Sequence, residues 1–88
     1  MSVLIGEVET FDELRPDKAQ ALKVLEEAAE VLAAWQLARE DFIMRDAMLD
    51  ECADVVQAVA NLVAAYGVTD FRSYVDACRC RNERRGRL

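Results

Sequence analysis

The feature that most limits the fold is a long stretch without helix-breaking residues. Between Pro16 and Gly67 the sequence contains neither glycine nor proline, and it is rich in alanine, leucine and glutamate. These three residue types favour helices, whereas glycine and proline inside a helix destabilise it. The stretch therefore predicts two long helices, from about 16 to 39 and from about 43 to 66, joined by residues 40–42.

Local signals predict the ends of these helices and a third, shorter helix. Pro16 suits a first helical turn, and Gly67 is typical of the position just after a helix. Thr69 can cap a third helix from about 70 to 84. Because a short connection makes consecutive helices antiparallel, the sequence predicts an all-α fold, with an antiparallel helical hairpin and a shorter third helix.

The first fifteen residues carry a weaker pattern. Residues 1–9 predict an extended arm. The sequence TFDE at positions 10–13 matches a capping box, which predicts a short helical turn over residues 11–15. A chain of 88 residues is expected to form a single domain, spanning 1–88.

Composition gives expectations about assembly. Hydrophobic residues make up 53% of the chain, which is above the usual share, and a lone domain of this size is only marginally stable. We therefore expect a homo-oligomer in which the helices assemble into a four-helix-type bundle. No signal peptide and no apolar run of about 18 residues is visible, so a membrane partner is not expected.

The cysteines favour a reduced compartment. Their number is odd, and Cys52 lies in the middle of an apolar helix. Cys78 and Cys80 form a C-x-C pair without a second half, so a metal or redox role for them is not favoured. A cytoplasmic location is expected, since disulfides are rare there.

The charge is unevenly distributed. The chain has a net charge of −6, yet residues 79–88 contain five arginines and one glutamate, which gives this basic tail a charge of +4 and the rest −10. The acidic total argues against general binding of nucleic acid. A weaker alternative is that the arginine tail alone binds nucleic acid, with a steep dependence on salt.

The most informative pattern is a set of paired acids on apolar helices. Residues 49–63, LDECADVVQAVANLV, predict a buried helix but include three acids, of which Glu51 and Asp54 lie one turn apart. Glu27 and Glu30 form a similar pair on the first helix. In an antiparallel hairpin the spacing lets the two pairs face each other.

Four converging carboxylates would repel one another unless cations joined them. Ligand sets made only of oxygen select hard cations such as Mg²⁺ or Mn²⁺. A ferritin-like di-iron site is disfavoured because it needs histidines, and the chain has none. The pattern alone leaves two interpretations open, namely a metal site and a solvated acidic face.

The same residues resemble a known family. KVLEEAAE at 23–30 and ECADV at 51–55 resemble the E-x-x-E and E-x-x-D signature of the MazG-like, all-α nucleoside triphosphate pyrophosphohydrolase superfamily. RNERRG at 81–86 resembles the K/R-N-x-x-R tail of that family, and the likeness covers roughly residues 16–87. It implies a Mg²⁺-dependent hydrolase that cleaves nucleoside triphosphates into a nucleoside monophosphate and pyrophosphate. It also implies a dimer or a dimer of dimers.

The resemblance implies roles for individual acids. Glu27 is an implied metal ligand and general base, and Glu26 is implied to orient a water or a second metal. The implied metal ligands are Glu27, Glu30, Glu51 and Asp54.

The remaining candidates would contact the substrate. Asn61 lies about two turns beyond Asp54 on the same helical face, which makes it a candidate for the base or sugar edge. The residues that the resemblance implies for phosphate binding are Lys23, Arg81, Asn82 and Arg84.

Two hypotheses from different classes follow. The first is the pyrophosphohydrolase, with a house-cleaning activity on deoxy or non-canonical nucleotides as one form of it. The second is a non-catalytic helical module for oligomerisation or nucleotide binding. The chain is short for the family, so we expect a second subunit to complete the pocket.

Overall fold

The computed structural model describes the backbone of residues 1–88 and every side chain except that of residue 40. It contains three α-helices: α1 (Lys18–Glu40), α2 (Arg45–Ala65) and α3 (Arg72–Arg84). A short 3-10 turn, Phe42–Met44, leads into α2. The described chain has no strand, so the predicted all-α class is confirmed, whereas assembly into a larger bundle stays a prediction.

The start of α1 is set by a side-chain cap. Asp17 is the N-cap residue, and its carboxylate accepts a hydrogen bond from the Gln20 N–H at 3.1 Å. Such a cap satisfies one of the free N–H groups of the first turn. The helix therefore begins two residues later than predicted, and Pro16 lies before the cap rather than in the first turn.

The predicted helical turn over residues 11–15 was wrong. Residues 11–15 form bends and irregular backbone, and Glu13 has a φ of 58°, which a right-handed turn excludes. The Phe11 N–H is donated to Asn61 Oδ1 on α2, at 3.1 Å. A tertiary hydrogen bond thus replaces the local cap that the sequence suggested.

Asp41 organises the connection between α1 and α2. Its N–H closes the end of α1 on the Leu37 carbonyl at 3.2 Å, and its carboxylate accepts from the Ile43 N–H at 2.9 Å. This double role starts the 3-10 turn, so α2 begins two residues later than predicted. The connection is short and α1 packs along α2, which confirms the antiparallel hairpin.

A heptad-like seam joins the two helices. On α1 the half-buried residues recur at alternating intervals of three and four, which keeps one stripe facing the neighbour. The same spacing selects a stripe on α2, where all residues from 55 to 65 are half-buried or buried. Most members of the seam are apolar, but each stripe includes one glutamate. The seam residues are Val24, Glu27, Val31, Ala34 and Ala38 on α1, and Met48, Glu51, Val55, Ala58 and Leu62 on α2.

The N-terminal arm lies along α2. Gln57 Nε2 donates to the Glu9 carbonyl at 2.8 Å and to Asn61 Oδ1 at 3.1 Å. A shallow pocket lies between the arm and α2. Its lining residues are Ile5, Glu7, Val8 and Glu9 on one side and Ala53, Val56 and Gln57 on the other. The arm has no regular secondary structure, and backbone groups of Glu9 and Phe11 are hydrogen-bonded to α2 of the same chain.

The third helix stands apart. Gly67, at a φ of 78°, ends the turn after α2 as predicted. The predicted cap at Thr69 was wrong, because Phe71 occupies the N-cap position of α3 without a side-chain hydrogen bond. The Asp70 carboxylate accepts from the Arg72 N–H at 3.0 Å instead. Among the described residues, α3 packs against neither α1 nor α2.

No helix in the part of the chain described here combines the length and apolar character needed to span a membrane.

Candidate metal centre

Three acids from the two long helices come together at the seam. Glu27 of α1 and Glu51 and Asp54 of α2 each present one carboxylate oxygen, and these oxygens lie within 4.8 Å of one another. Glu27 and Glu51 are half-buried, and Asp54 is exposed. We call these three residues the acid cluster.

The backbone pattern explains why these acids meet. Glu27 lies in the seam of α1 between Val24 and Val31, at the spacing where an apolar residue is expected. Glu51 occupies an equivalent position on α2, and Asp54 follows one turn later. Two antiparallel helices therefore bring the carboxylates to the same level of the hairpin.

The electrostatics of the acid cluster are unfavourable without a cation. Partial burial raises the pKa of the Glu51 carboxyl, and the negative charges of Asp54, Glu30 and Glu27 raise it further. Both causes disfavour the ionised form. A bound cation would remove this penalty, since it stabilises the ionised carboxylates.

Glu30 contributes charge but lies outside the acid cluster. Its carboxylate is near enough to raise the pKa of Glu51, yet its oxygens are not among the group within 4.8 Å. Its side chain is exposed. The structure thus brings together three of the four predicted metal ligands and leaves Glu30 at the edge.

Lys23 supplies a positive charge beside the acid cluster. Its Nζ lies 3.1 Å from Glu27 Oε1 and 3.7 Å from Glu26 Oε2. The hydrogen bond and the charge of Glu27, with the charge of Glu26, raise the pKa of Lys23. Only 17% of the Glu27 side chain is exposed, against 64% for Glu26. Glu26, the second candidate base, therefore lies on the open side of the lysine.

Asn61 is hydrogen-bonded to the N-terminal arm. It is 5% exposed, and its Oδ1 accepts hydrogen bonds from the Phe11 N–H and from Gln57 Nε2, both at 3.1 Å. This oxygen is therefore engaged within the chain. Its suggested contact with a base or sugar stays a prediction, and the structure adds a role in anchoring the arm.

The predicted phosphate-binding residues of the tail lie on α3. Asn82 Oδ1 accepts from Arg87 Nη1 at 3.3 Å, and its Nδ2 lies 3.6 Å from Cys78 Sγ. Among the described side chains, no hydrogen bond or ion pair joins Arg81, Asn82 or Arg84 to the acid cluster. Within one chain the structure keeps the two predicted halves of the site apart.

Gln57 has a structural role that the sequence analysis did not predict. Gln57 and Asn61 lie one turn apart in the apolar second half of α2, and they bond to backbone groups of the arm on either side of Thr10. The detectable signal was the polar pair itself, at an i, i+4 spacing. Its partner was not detectable, because the partner atoms are backbone groups about fifty residues away in the sequence.

The acid cluster suits a hard divalent cation. All three donors are carboxylates, the ligands that Mg²⁺ and Mn²⁺ prefer. Glu51 is destabilised in its ionised form by its neighbours, which is the condition that a cation relieves. Glu27, Glu51 and Asp54 would hold such an ion.

Comparison with known proteins finds no matching family model, no matching curated protein and no matching solved structure. The MazG-like resemblance rests on the motifs at 23–30, 51–55 and 81–86, and the function that it implies is a proposal.

Proposed function

We propose that this protein is a Mg²⁺-dependent nucleoside triphosphate pyrophosphohydrolase. It would cleave a ribo- or deoxyribonucleoside triphosphate between the α and β phosphates, releasing a nucleoside monophosphate and pyrophosphate. The observation that carries the proposal is the convergence of Glu27, Glu51 and Asp54 across the helical seam. A reduced, cytoplasmic compartment and a role in removing non-canonical nucleotides fit this activity.

The acid cluster provides the metal site in this proposal. Glu27, Glu51 and Asp54 bind the cation, and Glu30 adds negative charge beside them. When bound, Mg²⁺ neutralises phosphate charge and lowers the pKa of a coordinated water. Mn²⁺ has similar ligand preferences and would replace it.

A carboxylate takes the proton of the attacking water. The chain has no histidine, so glutamate is the natural general base. Glu27 lies inside the acid cluster, and Glu26 lies beside it on the same helix. Lys23 bridges the two glutamates, so it can hold them in place and meet an incoming phosphate.

The tail residues bind the phosphates. Arginine forms bidentate, charge-assisted hydrogen bonds with phosphate oxygens. Arg81 and Arg84 lie one turn apart on α3, with Asn82 between them. The three residues are therefore suited to bind a triphosphate when α3 lies next to an acid cluster.

The first test is pyrophosphate release from a panel of ribo- and deoxyribonucleoside triphosphates, with Mg²⁺ and with chelator. We expect Mg²⁺-dependent release that falls at least about a hundredfold in Glu51→Gln, as for loss of a group that acts in the transition state. Asp50→Asn is the matched control, because Asp50 is exposed, adjacent and outside the acid cluster. Equal activity of the Glu51→Gln and wild-type chains would refute the ligand assignment.

A specific observation favours the second hypothesis, a non-catalytic oligomerisation or nucleotide-binding module. Large apolar side chains remain exposed on α1, including Leu25 at 66% and Leu32 at 59%. Exposed apolar patches mark interaction surfaces. If the substrate panel gives no pyrophosphate while a nucleotide still raises the melting temperature, the binding module is the better description.

A further inference from the structure

Lys23 forms an ion pair with a carboxylate that also belongs to the acid cluster. Its Nζ lies 3.1 Å from Glu27 Oε1 and 3.7 Å from Glu26 Oε2. Glu27 is the contribution of α1 to the acid cluster, opposite Glu51 and Asp54 of α2. The ammonium group of Lys23 and a cation bound by the acid cluster would therefore share one carboxylate.

The two partners of this ion pair differ in burial. The Glu27 side chain is 17% exposed and lies in the seam, whereas 58% of the Lys23 side chain is exposed. Lysine carries its charge on a flexible four-carbon stem. Lys23 can therefore turn away from Glu27 into solvent without disturbing the packing of the hairpin, while Glu27 stays in the seam.

Lys23 also offsets the repulsion among the acids. The negative charges of Asp54, Glu30 and Glu27 all act on Glu51, so the carboxylates destabilise one another. The positive charge of Lys23 is in contact with Glu27, which reduces this repulsion. The ammonium thus has the same electrostatic effect on the acids as a bound cation, although with one charge instead of two.

An ammonium group and a divalent cation compete for a carboxylate. Mg²⁺ binds carboxylate oxygens at about 2.1 Å and demands a well-defined set of ligands, whereas the ion pair of Lys23 with Glu27 is longer, at 3.1 Å. Two positive groups on one carboxylate also repel each other. A cation that uses Glu27 is therefore bound more tightly when Lys23 has left.

We infer that Lys23 is an internal counter-ion, which a divalent cation has to displace from Glu27. The lysine neutralises part of the acid cluster before the metal binds, and the same contact weakens metal binding. Lys23 is thus a positioning residue that helps to set the cation concentration at which the metal centre fills. The inference rests on the metal site of the proposed function and is independent of the hydrolytic reaction.

The competition is tested by the affinity for Mn²⁺, measured by electron paramagnetic resonance without nucleotide and at fixed ionic strength. Lys23→Met keeps a long side chain that favours helix and removes the charge. We expect this variant to bind Mn²⁺ about three- to fivefold more tightly than wild type, as for loss of one competing surface ion pair. Lys23→Arg keeps the charge and should bind Mn²⁺ no more tightly than wild type.

Lys18→Met is the matched control, because it removes the same charge from the other side of α1. Lys18 is exposed and lies nine residues before Glu27, which is about 180° around the helix. Its variant measures the effect of net charge alone. Equal affinities of the Lys23→Met and Lys18→Met chains, or a weaker affinity in Lys23→Met, would overturn the inference.

Thermal unfolding gives a second readout, which a purely structural ion pair would not change. If Lys23 is displaced by the metal, Lys23→Met should melt at a lower temperature than wild type in chelator, because the acids have lost their counter-ion. The same variant should gain more in melting temperature than wild type at equal Mn²⁺ concentration. An equal gain in both chains would show that Lys23 supports the helix and does not compete with the metal.

Failure of the inference is distinguishable from failure of the proposed function. If neither wild type nor Lys23→Met binds Mn²⁺, the acid cluster is not a metal site, and the inference fails together with the proposed hydrolase. If wild type binds Mn²⁺ and Lys23→Met binds it no more tightly than Lys18→Met, the metal site stands and the role of Lys23 alone is refuted.

Discussion

At the scale of single residues, the seam of the hairpin contains two acids where apolar residues would pack better. Glu27 and Glu51 occupy half-buried positions of the heptad-like stripe, and Glu51 has a raised pKa from partial burial and from the charges around it. The partial burial of Glu51 and the repulsion from the neighbouring carboxylates each destabilise the metal-free fold. Such a cost is expected where a residue serves a function rather than packing.

The raised pKa gives a prediction with a definite sign. The native state binds the Glu51 proton more tightly than the unfolded state does, so stability falls as pH rises through the pKa. In chelator, Glu51→Gln should melt at a higher temperature than wild type at neutral pH. The difference should disappear once pH falls below the ordinary value of 4.5.

The measurement is thermal unfolding of both chains across this pH range in chelator, beside Asp50→Asn. Asp50 is exposed and outside the acid cluster, so its variant should follow wild type. If Glu51→Gln were the less stable chain at neutral pH, the acid cluster would not be a destabilising feature of the metal-free protein.

The pKa of Asp70 is shifted in the opposite direction from that of Glu51. The Arg72 side chain and N–H both bond to the Asp70 carboxylate, and they lower its pKa to about 2. An acid with a lowered pKa stabilises the fold above its ordinary pKa, and this contribution is lost as pH falls through the lowered value. At neutral pH, therefore, the ionised Asp70 stabilises the start of α3, whereas the ionised Glu51 destabilises the hairpin.

At the scale of elements, the sequence predicts the two long helices, the hairpin and the stop at Gly67, because propensity and helix-ending glycine are local properties. The helix starts differ by two residues because Asp17 and Asp41 provide the caps. The predicted turn over residues 11–15 fails for a different reason. The Phe11 N–H bonds to Asn61, and no local pattern reveals a partner fifty residues away.

The same limit applies to the candidate site. The E-x-x-E and E-x-x-D spacings placed Glu27, Glu51 and Asp54 on facing stripes, and the structure brings them together. Spacing alone could not show that Glu30 lies at the edge, since that depends on how the helices rotate about their axes. Nor could it show that α3 leaves the tail arginines away from the acid cluster.

The arm gives a prediction at this scale. Asn61→Ala removes the acceptor of two hydrogen bonds, which should cost about 1 kcal/mol or somewhat more because the site is buried. Hydrogen exchange should then be fast at the Phe11 amide and unchanged in the seam of α1. Asn82→Ala, on the separate helix α3, is the control. Continued protection of the Phe11 amide in Asn61→Ala would mean that the arm is held by other contacts.

At the scale of the whole molecule, most of the described side chains are exposed or half-buried. Among the described side chains, only Ala58 and Asn61 are buried, and a folded domain normally hides a larger apolar core. An acidic hairpin and a basic, partly apolar third helix complement each other in charge and in surface character.

Binding of a divalent cation by the acid cluster is the central claim, and its most direct test is a titration of the protein with Mn²⁺. Free Mn²⁺ is followed by electron paramagnetic resonance, and Mg²⁺ is then added as a competitor. We predict binding by wild type and Asp50→Asn, displacement of the Mn²⁺ by Mg²⁺, and loss of binding in Glu51→Gln and in Asp54→Asn. A wild-type protein that binds no Mn²⁺, or a Glu51→Gln chain that binds it as tightly as wild type, would contradict the claim.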